Sequence, residues 1–132
     1  MWSDDRAQAM VEFALALPLV LAATFYAFAL LDAATTQEAV AGGARRAALA
    51  LAGSNDDAQA RGAAEQTSWL RGQPVSVTIT PDGTHKRCAG TLVAITVTAT
   101  GHLPFLLPVA TTWSATQPGT IENPGVQAAT CP

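Results

Sequence analysis

The stretch Arg6-Ala-Gln-Ala-Met-Val-Glu12-Phe-Ala-Leu-Ala-Leu-Pro18 opens an apolar run that carries no charge from Phe13 to Leu31. As a helix, at about 1.5 Å per residue, that run reaches roughly 28 Å, close to the hydrocarbon thickness of a bilayer. Glu12 stands at its edge. A carboxylate costs roughly 2.5–3.5 kcal/mol if it must enter the bilayer centre. Glu12 is therefore the first candidate functional residue, and it calls for a partner.

A cleaved secretory signal is the rival reading of this segment. It needs a basic leader and a short apolar region of about 7–15 residues. The leader Met-Trp-Ser-Asp-Asp-Arg has one cation and two anions, and the apolar run is longer. A retained anchor is expected. The flanking cations Arg45 and Arg46 would place the far side in the cytoplasm. Cysteine usage points the other way.

Helical pattern continues beyond Leu31. Residues 32–51 are rich in alanine, the strongest helix former. Ala33, Val40, Ala44, Ala47 and Leu51 recur near helical spacing. One helix is expected from about Ser3 to about Ala52, stopped near Gly53. Pro18 removes one backbone bond and is expected to kink it. Gly42-Gly43 reads as a hinge, as a place of close helix approach, or as mere Ala/Gly drift.

The remaining residues, from about Ser54, make a small core that a staple would help. Asn55 or Asp56 can cap a second helix reaching Leu70, with Gly72 and Pro74 ending it and Trp69 and Leu70 in the core. Val75-Ser-Val-Thr-Ile-Thr80 alternates apolar and polar residues, as a half-buried strand does. Pro81-Asp-Gly-Thr is a turn signal. Thr91–Thr100 alternates again, with Val93, Ile95 and Val97 on one face and Gly101 and Pro104 as breakers. Residues 103–109 read as a packed connection, because Pro104 and Pro108 interrupt them. Ala110–Thr116 is a third strand, and residues 117–132 read as an irregular tail. The expected class is α+β: a long N-terminal transmembrane helix, then a small helix with a three- to four-stranded antiparallel sheet.

Chemistry is sparse. The net charge of −3 and the 13% content of charged residues argue against nucleic-acid binding. His85, with Lys86 and Arg87, reads as a solvated basic turn; His102 reads as a surface or capping residue at a strand end. No phosphate loop, nucleophile elbow or metal-binding spacing occurs. No enzyme, cofactor or metal is expected. The two cysteines, Cys88 and Cys131, lack zinc spacing. In an oxidising compartment a Cys88–Cys131 disulfide would close a loop of about 44 residues, worth roughly 4 kcal/mol. Two thiols in a reducing compartment is the other reading.

The segment from Arg6 to Pro18 resembles the TadE-like family of tight-adherence (Tad) type IV pilus systems, whose members read R-G-x-A-x-V-E-F-A-L-x-L-P at this point. Gly43-Ala-Arg-Arg-Ala-Ala resembles the end of the family's helix. The likeness is strong over residues 6–31 and looser to about residue 52. It implies a pilin-type helix over residues 8–53 with its span at about 13–31, a leader of residues 1–7, and an extracytoplasmic domain over residues 54–132. It further implies cleavage by prepilin peptidase between Ala7 and Gln8. Ala7 stands where family leaders end in glycine, and Asp4 and Asp5 make this leader less basic than usual. Cleavage would make Glu12 the fifth residue and release an α-amine at Gln8, a natural partner for a carboxylate in a low dielectric.

By this resemblance Glu12, Phe13 and Pro18 belong to an assembly helix. The implied partners are other pilin subunits, the prepilin peptidase, the inner-membrane pilus assembly platform and membrane lipid. The implied location is the cytoplasmic membrane, or a cell-surface pilus supporting adhesion or secretion. The alternative is a single-pass anchored extracytoplasmic binding domain with no filament role.

Overall fold

The computed structural model describes residues 2–67, 74–84, 87–102 and 110–124. Alanine-rich sequence produces one unbroken helix, α1, over Trp2–Ser54. At about 1.5 Å per residue it is roughly 80 Å long. It passes through Pro18 and through Gly42-Gly43 without interruption. Neither glycine acts as a break.

The second half of α1 is a core element. Val40, Ala44, Ala47 and Leu51 are fully buried and step by four, three and four residues, the spacing of one helix face. There are three strands, β1 (Val75–Thr80), β2 (Leu92–His102) and β3 (Ala110–Thr120); β2 and β3 lie against this face. They form one antiparallel sheet in the order β1-β2-β3. The odd-numbered residues Val77, Ile79, Val93, Ile95, Val97 and Ala99 turn inward and join the α1 face in one apolar cluster with Ile121. Trp113 and Ala115 of β3 pack at its margin. α1 therefore covers β2 and β3, and α2 packs beside β1.

The joint between the helices is built from three consecutive polar residues. Asn55 takes a left-handed conformation (φ 51°) that asparagine tolerates, and its N–H donates to the Leu51 carbonyl at 2.8 Å. Gly53, the expected stop, lies inside the helix. Asp56 then caps α2 (Asp57–Glu65): its carboxylate accepts from the N–H groups of Ala58, at 2.8 Å, and Gln59. Ala60 and Ala64 of α2 are buried against the core. α2 ends at Glu65, short of the expected Leu70. Gly62 weakens its last turn by about 1 kcal/mol relative to alanine, and Thr67 turns into the interior. Trp69, Leu70, Gly72 and residues 103–109 lie outside the described residues.

Both long strands outrun their sequence limits. Gly101 does not break β2 but pairs with Thr111. β3 continues through Pro118 to Thr120, where an irregular tail was expected. The ladder explains why proline is accepted. The Ile121 N–H donates to the Thr91 carbonyl at 3.0 Å, so odd-numbered residues of β3 turn their backbone groups toward β2. Pro118, an even position on an edge strand, would have aimed its missing N–H away from the sheet, and no ladder bond is lost. Next to it, Gly119 lies against Val93, Ile95 and Ala48, where α1 crosses β3.

Leu51→Ala should lower stability by about 2–5 kcal/mol, because the site is enclosed by helix and sheet and cannot collapse freely. Denaturant unfolding of the detergent-solubilised chain, followed by tryptophan fluorescence, measures this. Leu49→Ala, on the exposed side of the same helix turn, should cost a small fraction of that.

Candidate functional site

The first half of α1 has a different environment from the second. From Ala7 to Leu31 every residue except Ala29 is exposed. Met10 (76%), Phe13 (67%) and Leu19 (73%) present large apolar side chains. A helix that is apolar all round belongs in a membrane or in the interior of an assembly. This helix is long and apolar enough to cross a membrane. Its few polar groups are satisfied locally: the Thr24 hydroxyl donates to the Val20 carbonyl at 2.8 Å. Pro18 has no N–H to offer the carbonyl four residues before it, so the helical ladder lacks one bond inside the apolar segment.

Glu12 lies at the head of this surface, next to Phe13. Gln8 stands one turn earlier on the same face, and its side-chain amide donates to Glu12 Oε1 at 3.1 Å. The sequence assigned Glu12 a partner at residue 8 through the backbone amine that cleavage would release. In the uncut chain that partner is the Gln8 side chain. Spacing alone could have shown this, because four residues apart is the contact distance on a helix. Ala7, on the other side of the expected cut, is exposed.

Asp32 is the first acidic residue after the span, and burial begins there. Thr35 and Thr36 both donate to the Asp32 carbonyl, at 2.9 Å each. From Ala39 onward the helix joins the core.

At the far end of α1 the structure overturns the reading of Arg87. It is not part of a solvated basic turn but fully buried. Its guanidinium pairs with the Asp57 carboxylate through both terminal nitrogens and donates from Nε to the Pro81 carbonyl at 2.8 Å. Asp57 also accepts from the Gly83 N–H at 3.1 Å. The first residue of α2 and the β1–β2 turn are thus joined through one ion pair. Asn55 Nδ2 extends the joint, donating to the carbonyls of Arg87 (3.4 Å) and Pro124 (3.0 Å). Thirty residues separate Asp57 from Arg87, and no local spacing announces the pair.

Cys88 follows directly, half-buried and not a free thiol. Cys131 lies outside the described residues, as do His85 and Lys86. His102 is the last residue of β2. Among the described residues, no group of three or more histidine, cysteine or acidic side chains comes together to hold a metal.

Comparison with protein-family models, curated proteins and solved structures finds no match to this chain. The described residues define an α+β chain whose long apolar N-terminal helix could span a membrane.

Asp57→Asn would leave the Arg87 charge buried beside a neutral amide. Losing one partner of a fully buried pair costs about 3–5 kcal/mol. Asp57 keeps 27% of its side chain exposed, so solvent screening lowers the expected loss to about 2 kcal/mol. The denaturation midpoint of the full chain in detergent, compared with wild type, measures it.

Proposed function

We propose that this chain is a TadE-like minor pilin, or pseudopilin. It would enter the cytoplasmic membrane through α1 and assemble with other pilin subunits at the base or tip of a Tad-type pilus. The observation that carries this reading is the division of one continuous helix. Its first half is apolar on all sides and exposed; its second half is the spine of a small domain. A detached anchor would need only the first half. A shared helix holds the domain rigidly to the segment that meets lipid and neighbouring subunits.

Glu12 fits this role. It sits one turn into the segment that would follow a cut between Ala7 and Gln8, near the positive end of the helix dipole. Its present bond to Gln8 is exposed and weak, about 0.2–0.5 kcal/mol for such a pair. Exchange for a free amine in a low dielectric would be favourable. Prepilin peptidase would release that amine, and the assembly platform would draw the processed helix out of the lipid. Small residues Ala14, Ala16, Ala22, Ala23 and Ala27 allow neighbouring helices to approach closely. Phe13 and Pro18 belong to the same helical segment. The role is assembly in support of adhesion or secretion, without catalysis or cofactor. The domain would face the extracytoplasmic space, where Cys88 pairs with Cys131.

Mass measurement of the chain extracted from membranes of cells with the peptidase should find a new N-terminus at Gln8. An intact Met1 terminus under those conditions would count against processing. Glu12→Ala should leave membrane insertion unchanged and abolish recovery with sheared pili. Continued incorporation of the variant would remove Glu12 from the assembly role. Alkylation before and after reduction should label the cysteines only after reduction; labelling beforehand would contradict the Cys88–Cys131 pair.

A further inference from the structure

Between the second half of α1 and the end of β3 the surface opens into a cleft of about 510 Å³. Arg45, Leu49 and Ala52 line it from the helix; Pro118, Thr120 and Glu122 line it from the strand and the residues just past it. Three contacts fix how the two walls run. The Gln37 side-chain amide donates to the Ser114 carbonyl at 3.3 Å, Gly119 lies against Ala48, and the Glu122 N–H donates to the Ala52 carbonyl at 3.1 Å. Residue numbers rise together on both walls. α1 and β3 therefore run in the same direction, and Arg45 and Glu122 stand toward opposite ends of the cleft.

Two observations mark this cleft as a binding site. The first is charge. Arg45 and Glu122 are both exposed, and neither side chain takes part in a hydrogen bond or an ion pair among the described residues. Glu122 is held beside Ala52, seven residues from Arg45 along α1. The two charges thus stand roughly 10 Å apart, too far to neutralise each other. The second is backbone. Even-numbered residues of β3 turn their N–H and C=O groups away from β2, and at Pro118 and Thr120 this edge borders the cleft. Thr120 offers a donor and an acceptor there, and Pro118 an acceptor only. A proline on the edge works against a long strand adding itself along β3, so the bonding capacity is that of a few residues.

We propose that this cleft binds a short free peptide of about three residues, extended, with its terminal carboxylate on Arg45 and its terminal ammonium on Glu122. Length follows from the charges. An extended chain advances about 3.3 Å per residue, so the termini of a tripeptide fall roughly 10 Å apart. A guanidinium binds a carboxylate through two parallel N–H bonds, and the Glu122 carboxylate accepts from the ammonium. Direction follows as well. With its carboxylate at Arg45 the peptide runs opposite to β3, and antiparallel pairing is the more stable sense. Leu49, 75% exposed, gives the middle residue an apolar wall. None of the lining residues belongs to the apolar half of α1, so this binding stands apart from the assembly role proposed above.

The test is calorimetric titration of the full-length chain in mild detergent with trialanine bearing free termini, which should bind saturably. N-acetyl trialanine and trialanine amide should each bind about tenfold more weakly, equivalent to about 1.4 kcal/mol per lost charge contact. Dialanine, too short to reach both charges, should weaken by about the same factor. Arg45→Gln and Glu122→Gln should each weaken trialanine about tenfold and leave the unfolding midpoint unchanged, because both side chains are exposed and make no internal bond. The direction is read from the couplings. With Arg45→Gln the amide should bind within about twofold of free trialanine, and with Glu122→Gln the N-acetyl form should do so. Failure of trialanine to saturate by about 10 mM overturns the proposal. So does a capped or two-residue peptide that binds as tightly as trialanine, or binding that survives both substitutions. Couplings in the opposite sense overturn the assigned direction.

Discussion

The continuity of α1 is the constraint on which the rest depends. An amphipathic helix and an apolar helix usually belong to different places, and here they share one hydrogen-bonded ladder. The junction falls near Asp32, where exposure on all sides gives way to burial on one face. With no break between them, a rotation of the apolar half about its axis is a rotation of the domain. From Glu12 to Leu51 the helix extends about 58 Å at constant pitch. The carboxylate at one end and the sheet at the other therefore keep a fixed angular and axial relation.

Such a lever is useful only if its distal end is held. The small core alone is modest in size, since its inner residues are mostly valine, isoleucine and alanine. The polar joint adds to it at the position where the helix stops. Asn55 reverses the chain, Asp56 starts the next helix, and Asp57 closes on the buried Arg87. Each of the three uses a different property of a short polar side chain: tolerance of left-handed backbone, capping of N–H groups, and charge. Cys88 lies at the same place.

Much of this was legible in the sequence, and the failures have physical causes. The helix, its buried ridge and the first strand could be read because each depends on a short period in the chain. Strand ends were misjudged at Gly101 and Pro118 because propensity treats both as breakers. Neighbouring strands decide otherwise: Gly101 has a partner in Thr111, and Pro118 faces outward where its missing donor is not needed. Arg87 was misread because a run of cations looks solvated until a distant carboxylate is brought to it. At Glu12 the uncut chain adds a contact that helical spacing could have shown, the side chain of Gln8 one turn earlier.

The sheet has a second face, turned away from α1. Its even-numbered residues include Ser76, Thr78, Thr96, Thr98, Ser114 and Thr116, and none of the even-numbered residues of β1, of β2 up to Thr100 or of β3 is charged. Thr96 and Thr116 join hydroxyl to hydroxyl at 2.8 Å across the strands. If α1 turns toward membrane and neighbours, this neutral hydroxylated face is what the surroundings meet. A surface without fixed charge gathers no counterion cloud and has little to gain or lose from salt or acid. Among the described residues, the domain thus keeps its ionic chemistry away from this sheet face, whose own contacts depend little on salt or acid.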